Sequence, residues 1–130
     1  MRELGGLERA IMDRLWGWNR PATVREVLED LNRERKVAYT TVMTVMTNLE
    51  RKGLLSRALV GRAYAYAPVA AEADHTAALI AEAVGDGPDR TTPLLRFVSQ
   101  LSAGEIEQLR TALESESFKD SRRFRRRGRT

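Results

Sequence analysis

Leu7, Ile11 and Leu15 recur at four-residue spacing with Ala10 on the same side, which predicts a first amphipathic helix from Leu7 to Trp16. Trp16 and Trp18 seal its end. After Pro21, Thr23 stands three residues before Glu26, the spacing at which each side chain bonds the other's backbone N–H. Val24, Val27, Leu28 and Leu31 then fall at i, i+3, i+4 and i+7, a single apolar stripe on a second helix.

Propensity alone leaves residues 38–52 undecided, because threonine and valine favour strands. Periodicity decides for a third helix: Val42, Val45, Met46 and Leu49 share one side, and Thr40, Thr44, Thr47, Asn48 and Arg51 share the other. Gly53 supplies its stop, with Arg51 and Lys52 placed favourably against the helix dipole. Leu55, Arg57 and Leu59 alternate before Val60-Gly61-Arg62, and Tyr64 and Tyr66 alternate beyond, so a hairpin turning near Gly61 follows and Pro68 ends it. Three short helices and a basic hairpin, in that order, predict a winged helix-turn-helix over residues 1–70.

The remainder is helical in pattern. Residues 71–84 are alanine-rich, and Gly85-Asp86-Gly87-Pro88 break them. Thr92 before Pro93 reads as an N-cap for a short fifth helix carrying Leu94, Leu95, Phe97, Val98 and Leu101. Ser102 and Glu105 repeat the capping box, and Ile106, Leu109 and Leu113 stripe a sixth helix. Three helices within residues 71–114 are too little to stabilise a core alone, so Leu94, Leu95, Phe97, Val98, Ile106, Leu109 and Leu113 are expected to pack against a second copy. The fold class is therefore mainly α with a small β-hairpin: a winged helix-turn-helix DNA-binding domain plus a three-helix C-terminal dimerisation unit. Residues 115–130, ending in a run of arginines, are expected to be disordered.

Charge sharpens this division. Residues 1–70 hold 12 basic and 8 acidic side chains, residues 71–114 hold 3 and 8, and residues 115–130 hold 7 and 2. Within the first segment, Lys36, Arg51, Lys52, Arg57 and Arg62 face only Glu50 over residues 36–62, a candidate polyanion-binding face. The arginine run either adds nonspecific affinity for nucleic acid or serves as a solubilising terminus.

The composition leaves little for catalysis. The chain has no cysteine, which excludes disulfides and thiolate metal sites, and neither an H-E-x-x-H pair nor a phosphate-cradling G-x-x-x-x-G-K-[ST] loop. The one histidine, His75 beside Asp74, reads as a helix-surface residue next to an equally exposed acid. No enzyme activity, metal or cofactor is expected. Arg2 and Glu3 are followed by glycines and charges rather than an apolar stretch, and no apolar run approaches a membrane span, so a cytoplasmic protein without membrane insertion is expected.

The polar side of the third helix is the sharper signal. A helix in a major groove needs short side chains for close approach, hydroxyls or amides for phosphates and base edges, and methyls for thymine. Thr40, Thr41, Thr44, Thr47 and Asn48 are of these kinds, whereas a merely solvated helix face favours Glu, Lys, Gln and Ala. Arg57 and Arg62 on the hairpin either meet phosphate or a minor groove, or form a charged strand edge that discourages aggregation. Met43 and Met46 read as core or groove-facing packing.

Several strings together resemble the BlaI/MecI (penicillinase repressor) family: Leu7-Glu8 with Ile11-Met12 and Leu15-Trp16, Thr23-Val24-Arg25-Glu26-Val27, Ala38-Tyr39-Thr40-Thr41-Val42-Met43-Thr44-Val45, Lys52-Gly53-Leu54 and Gly61-Arg62-Ala63-Tyr64. The likeness continues through Leu95-Arg96-Phe97-Val98 and Glu105-Ile106-Glu107-Gln108-Leu109-Arg110, so that it spans about residues 5–114. It implies a homodimeric repressor of a palindromic double-stranded operator. Carried onto these positions, Thr40, Thr41, Met43, Thr44, Thr47, Asn48 and Arg51 are contacts of the recognition helix and Arg62 is the contact of the wing. It also implies release through a membrane metalloprotease sensor pathway, with cleavage between Arg96 and Phe97; Arg96 stands where staphylococcal members have asparagine. The cysteine pairs of the copper-responsive branch are absent here. Two other readings remain open: a ligand-gated winged-helix regulator, which needs a pocket that the C-terminal helices offer few polar groups to line, and a winged-helix protein-interaction module that does not read DNA.

Overall fold

The structure, a computed structural model, describes residues 4–128 and the side chains through Arg123. Arg2 and Glu3 at the start and Arg129 at the end lie outside the described residues. The element order is α1 (Gly6–Trp18), β1 (Ala22–Thr23), α2 (Val24–Leu31), α3 (Tyr39–Arg51), β2 (Leu55–Val60), β3 (Ala63–Pro68), α4 (Glu72–Val84), α5 (Thr91–Val98), α6 (Ala103–Leu113) and α7 (Glu116–Gly128). By its contacts the chain divides into two compact units, one reaching to Ala83 and one beginning at Val84.

In the first unit, α1 runs to Trp18 and stops at Asn19, whose left-handed φ of 53° a short polar side chain tolerates. Thr23 and Glu26 form the expected reciprocal cap: Glu26 N donates to the Thr23 hydroxyl at 3.2 Å and Thr23 N to the Glu26 carboxylate at 3.1 Å. The bond from Thr23's backbone N–H, above all, holds the Glu26 carboxyl below its ordinary value, and Arg20 at 2.9 Å adds to the effect. Between α2 and α3 the Asn32 side chain accepts from Val37 N at 2.9 Å and shapes the turn.

One face of each helix closes the core. Ile11, Met12 and Leu15 of α1, Val27 and Leu31 of α2, and Val42, Met46 and Leu49 of α3 are fully buried, joined by Leu55 and Tyr66 from the sheet. Arg14 pins α1 to α2 through Asp30 at 2.6 Å. The hairpin turns at Gly61, whose φ of 65° is the positive value a two-residue loop requires at its first position, with Val60 opposite Ala63. β1 adds a third strand on the far side of β3, pairing Ala22 with Tyr66 and Thr23 with Ala65, so the sheet order is β1-β3-β2. Two residues are too few to show a period, and sequence pattern gives no sign of this strand.

The first unit extends past the expected boundary at residue 70. Trp16 Nε1 donates to the Ala70 carbonyl at 3.0 Å, Arg9 bonds Glu72 at 2.6 Å, and the His75 ring lies 5.6 Å from that of Trp16. These contacts fasten the start of α4 to α1. His75 is accordingly a buried residue, 4% exposed, and not the surface residue expected of it.

In the second unit, α5 begins at Thr91 rather than after Thr92, because the Asp89 carboxylate accepts from the backbone N–H of both Thr91 and Thr92 at 3.1 Å. Bonds from Thr92, side chain first, depress the Asp89 pKa. Pro93 still falls in the first turn, where its missing N–H leaves no bond unmade. α6 starts on the expected Ser102/Glu105 box, with Glu105 N donating to the Ser102 hydroxyl at 3.1 Å.

The segment expected to be disordered forms α7. Ser115 starts it by accepting from Phe118 N at 3.1 Å while donating to the Ala112 carbonyl at 2.7 Å. Lys119 with Glu116 and Arg123 with Asp120 add i, i+3 pairs along it. Arginine is a good helix former, so a capped start outweighs the charge repulsion that argued for disorder.

Candidate nucleic-acid interface

The core fixes which side of α3 faces out. With Val42, Met46 and Leu49 fully buried, Thr40, Thr41, Met43, Thr44 and Arg51 stand exposed on the opposite side, and Thr47 and Asn48 are half-buried at its border. Met46 is therefore a core residue, whereas Met43, at 48% exposure, belongs to the outer face. Ala38 supplies no side-chain cap, but its carbonyl accepts from the backbone N–H of Thr41 and of Val42, each at 3.1 Å.

The outer face is chemically mixed. The Thr47 hydroxyl donates to the Met43 carbonyl at 2.8 Å, which leaves its methyl and its acceptor lone pairs for a partner. Arg51 donates to the Asn48 side-chain oxygen at 3.2 Å, so these two act together as a positive group beside an amide. Thr40, Thr41 and Thr44 are short enough for the helix axis to approach a groove floor closely.

Of the five cations over residues 36–62, two are held in ion pairs. Lys52 bonds Glu8 at 2.6 Å and ties the end of α3 to α1. Arg57 lies 3.3 Å from Glu50 and 4.2 Å from the Tyr64 ring centroid, and a hydrogen bond with Tyr66, followed by the Glu50 charge, raises its pKa. Arg57 thus braces the hairpin against α3, a role that neither of its sequence readings names. No ion pair engages Arg62, Lys36 or Arg51 among the described residues, and Arg62 sits at the hairpin tip.

Two residues that sequence reasoning left out join this face. Arg25 on α2 is exposed, and its guanidinium lies 5.9 Å from the ring centroid of Tyr39, the exposed first residue of α3. Their signal lay in position: the N-terminal end of a recognition helix is the part that reaches base edges.

Among the described residues, no group of three or more His, Asp or Glu side chains is placed to hold a metal ion, and no helix is long and apolar enough to cross a membrane.

Comparison with known proteins agrees with the strings singled out above. The sequence model of the family described as penicillinase repressor matches residues 4–115, which takes in α1 through α6 and stops where α7 begins. Transcriptional regulator BlaI of Mycobacterium tuberculosis, from the CDC 1551 / Oshkosh and the ATCC 25618 / H37Rv strains alike, is 42% identical over 116 residues, covering 87% of this chain and 84% of that protein. The solution structure of the DNA-binding domain of the repressor BlaI aligns with a TM-score of 0.48 at 24% identity, over 57% of this chain and 93% of that one. A structural likeness of that extent adds nothing to the fold described above, whereas the family match and the mycobacterial relatives concern transcriptional regulators and not enzymes. The chain belongs to the penicillinase repressor family of transcriptional regulators.

Proposed function

We propose that this chain is a homodimeric, cytoplasmic transcriptional repressor that binds a palindromic operator by laying α3 in the major groove and bringing Arg62 at the wing tip to the backbone or minor groove. The observation that carries this reading is the division of α3 itself, with a fully buried apolar side and an outer side of Thr40, Thr41, Met43, Thr44, Thr47, Asn48 and Arg51. The core holds that outer side rigid, which lowers the entropy lost when it docks.

The dimer rests on a second feature. Among the described residues from Val84 onward none is buried, although Leu95 and Phe97 are large and apolar and stand 67% and 51% exposed, with Leu94, Leu109 and Leu113 also exposed and Val98 and Ile106 half-covered. A stripe of that kind is stable in water only when a partner covers it, and a second copy supplies the same stripe by symmetry. Two linked recognition helices then double the site read.

Release by a sensor protease fits the same unit. The Arg96 carbonyl accepts from the Ser99 hydroxyl at 2.6 Å within a helical segment, so the bond between Arg96 and Phe97 must unwind before a protease can cut it. A short helix opens locally more easily than the winged-helix core. Cutting there removes α6 from each copy, and monomers hold half-sites weakly.

The purified chain, mixed with sheared genomic DNA, is expected to retain fragments that share an inverted repeat, with two copies bound per duplex. Retention without a shared sequence, or no salt-dependent binding, would favour an interaction module instead. Mass spectrometry of the protein after exposure of cells to a cell-wall antibiotic tests release: derepression with only full-length chain present rules out cleavage.

A further inference from the structure

We propose that α7 is a second, sequence-blind DNA contact, a basic helix that binds duplex phosphates while α3 reads bases; this rests on the operator-binding reading above. The family match ends at residue 115, so the helix lies outside the part of the chain that match covers. Residues 115–130 carry 7 basic and 2 acidic side chains. Both acids are committed within the helix, Glu116 lying 3.9 Å from Lys119 and Asp120 lying 3.6 Å from Arg123. No acid follows Asp120 in the sequence, and among the described residues no ion pair engages Arg122.

Order concentrates this charge. The Ser115 cap fixes where the helix begins, and Lys119, Arg122, Arg123 and Arg126 recur at i, i+3, i+4 and i+7 in the sequence of a continuous helix. The helix spans about 20 Å at roughly 1.5 Å per residue, and duplex DNA carries a charge about every 1.7 Å. A helical backbone that brings basic positions round to one side in this way suits contact with several phosphates at once.

The main competing polyanion is an anionic membrane surface, which requires an apolar face opposite the charges. Residues 116–128 hold only Phe118 and Phe124 as apolar side chains, with Ser117 and Ser121 between the charged positions. Composition thus favours DNA. The acidic stretch of residues 71–114 in a second copy is the other conceivable partner, and its charges are far sparser than those of a duplex.

The test compares the full chain with R122Q/R123Q/R126Q/R127Q, since glutamine keeps helix propensity close to that of arginine, and with a chain ending at Ser115. Binding is measured by fluorescence anisotropy, on the duplex recovered by retention and on a random duplex, from about 50 to about 200 mM salt. Both variants are expected to bind the random duplex about tenfold or more weakly at the low-salt end, with the log–log salt slope shallower by about 2 to 4. The preference for operator over random duplex is expected to change little, because phosphate contacts carry no base information.

Unchanged affinity and slope overturn the proposal. So does a variant that binds DNA normally but loses binding to vesicles of phosphatidylglycerol and phosphatidylcholine, or one whose sedimentation shifts to monomer with the slope unchanged. A full chain lacking operator preference would defeat the operator reading instead, and the slope measured on random duplex would still decide the role of α7.

Discussion

The two units of this chain use the same local devices and reach different ends. Thr23 with Glu26 starts α2, and Ser102 with Glu105 starts α6, by the same reciprocal cap. Around α2 the neighbouring helices and the sheet close on Val27 and Leu31 and leave both fully buried, whereas Leu109 and Leu113 of α6 remain open to water. Capping and periodicity are thus sufficient to make a helix and insufficient to make a core. Stability comes from one apolar face meeting another, and on the proposed reading a second copy supplies that other face in the second unit.

Leu95→Asp is expected to separate the two units most strongly. On a unit that works alone, an acid at a position 67% exposed is nearly neutral. In a dimer it buries two unpaired charges related by symmetry, at a cost of about 3 kcal/mol or more. Sedimentation is expected to show monomers that bind operator poorly while the winged-helix unit stays folded; an intact dimer would place Leu95 outside the interface.

Leu49→Ala probes the other side. Removing a fully buried leucine from the core of the first unit is expected to destabilise it by about 2–5 kcal/mol, with no dependence on protein concentration. Denaturant unfolding of the two variants separates them: the Leu95→Asp defect is masked at high protein concentration and the Leu49→Ala defect is not.

The two caps contribute on a smaller scale. Thr23→Ala and Ser102→Ala are each expected to cost about 1 kcal/mol in their own unit. Acid gives the smallest effect. The Glu26 and Glu105 carboxyls are both held below their ordinary value of 4.5, in each case chiefly by the backbone N–H of the capping residue. Because the folded values are depressed, the stabilisation is present above about 4.5 and is lost as the pH falls through the folded values. Thermal melts from about pH 6 to about pH 3 are expected to fall less steeply for the Glu26→Gln/Glu105→Gln chain than for the unchanged protein.

What could be read from the sequence follows the same line between local and distant causes. The capping boxes, the stop at Gly53, the turn at Gly61 and the two-sidedness of α3 depend on residues a few positions apart, and each stands where the pattern placed it. The burial of His75 depends on Trp16, and the engagement of Lys52 depends on Glu8, partners that no spacing rule connects. The start of α5 moved because Asp89 and Thr92 are both competent caps a few residues apart, and only the folded backbone chooses between them. α7 is not legible in the sequence because its charge density argues for disorder, whereas the helix needs only a cap and its own i, i+3 pairs.

On the proposed reading the outer side of α3 reads bases while the cations around it hold phosphates. Measuring Thr44→Ala and Arg62→Ala side by side, each on operator and on random duplex, separates the two roles. Thr44→Ala is expected to weaken operator binding by about 1–3 kcal/mol and to leave random-duplex binding nearly unchanged. Arg62→Ala is expected to weaken both alike and to make the salt slope shallower by about 1. Equal losses on the two duplexes for Thr44→Ala would contradict the account, because α3 would then lie against the duplex without reading it.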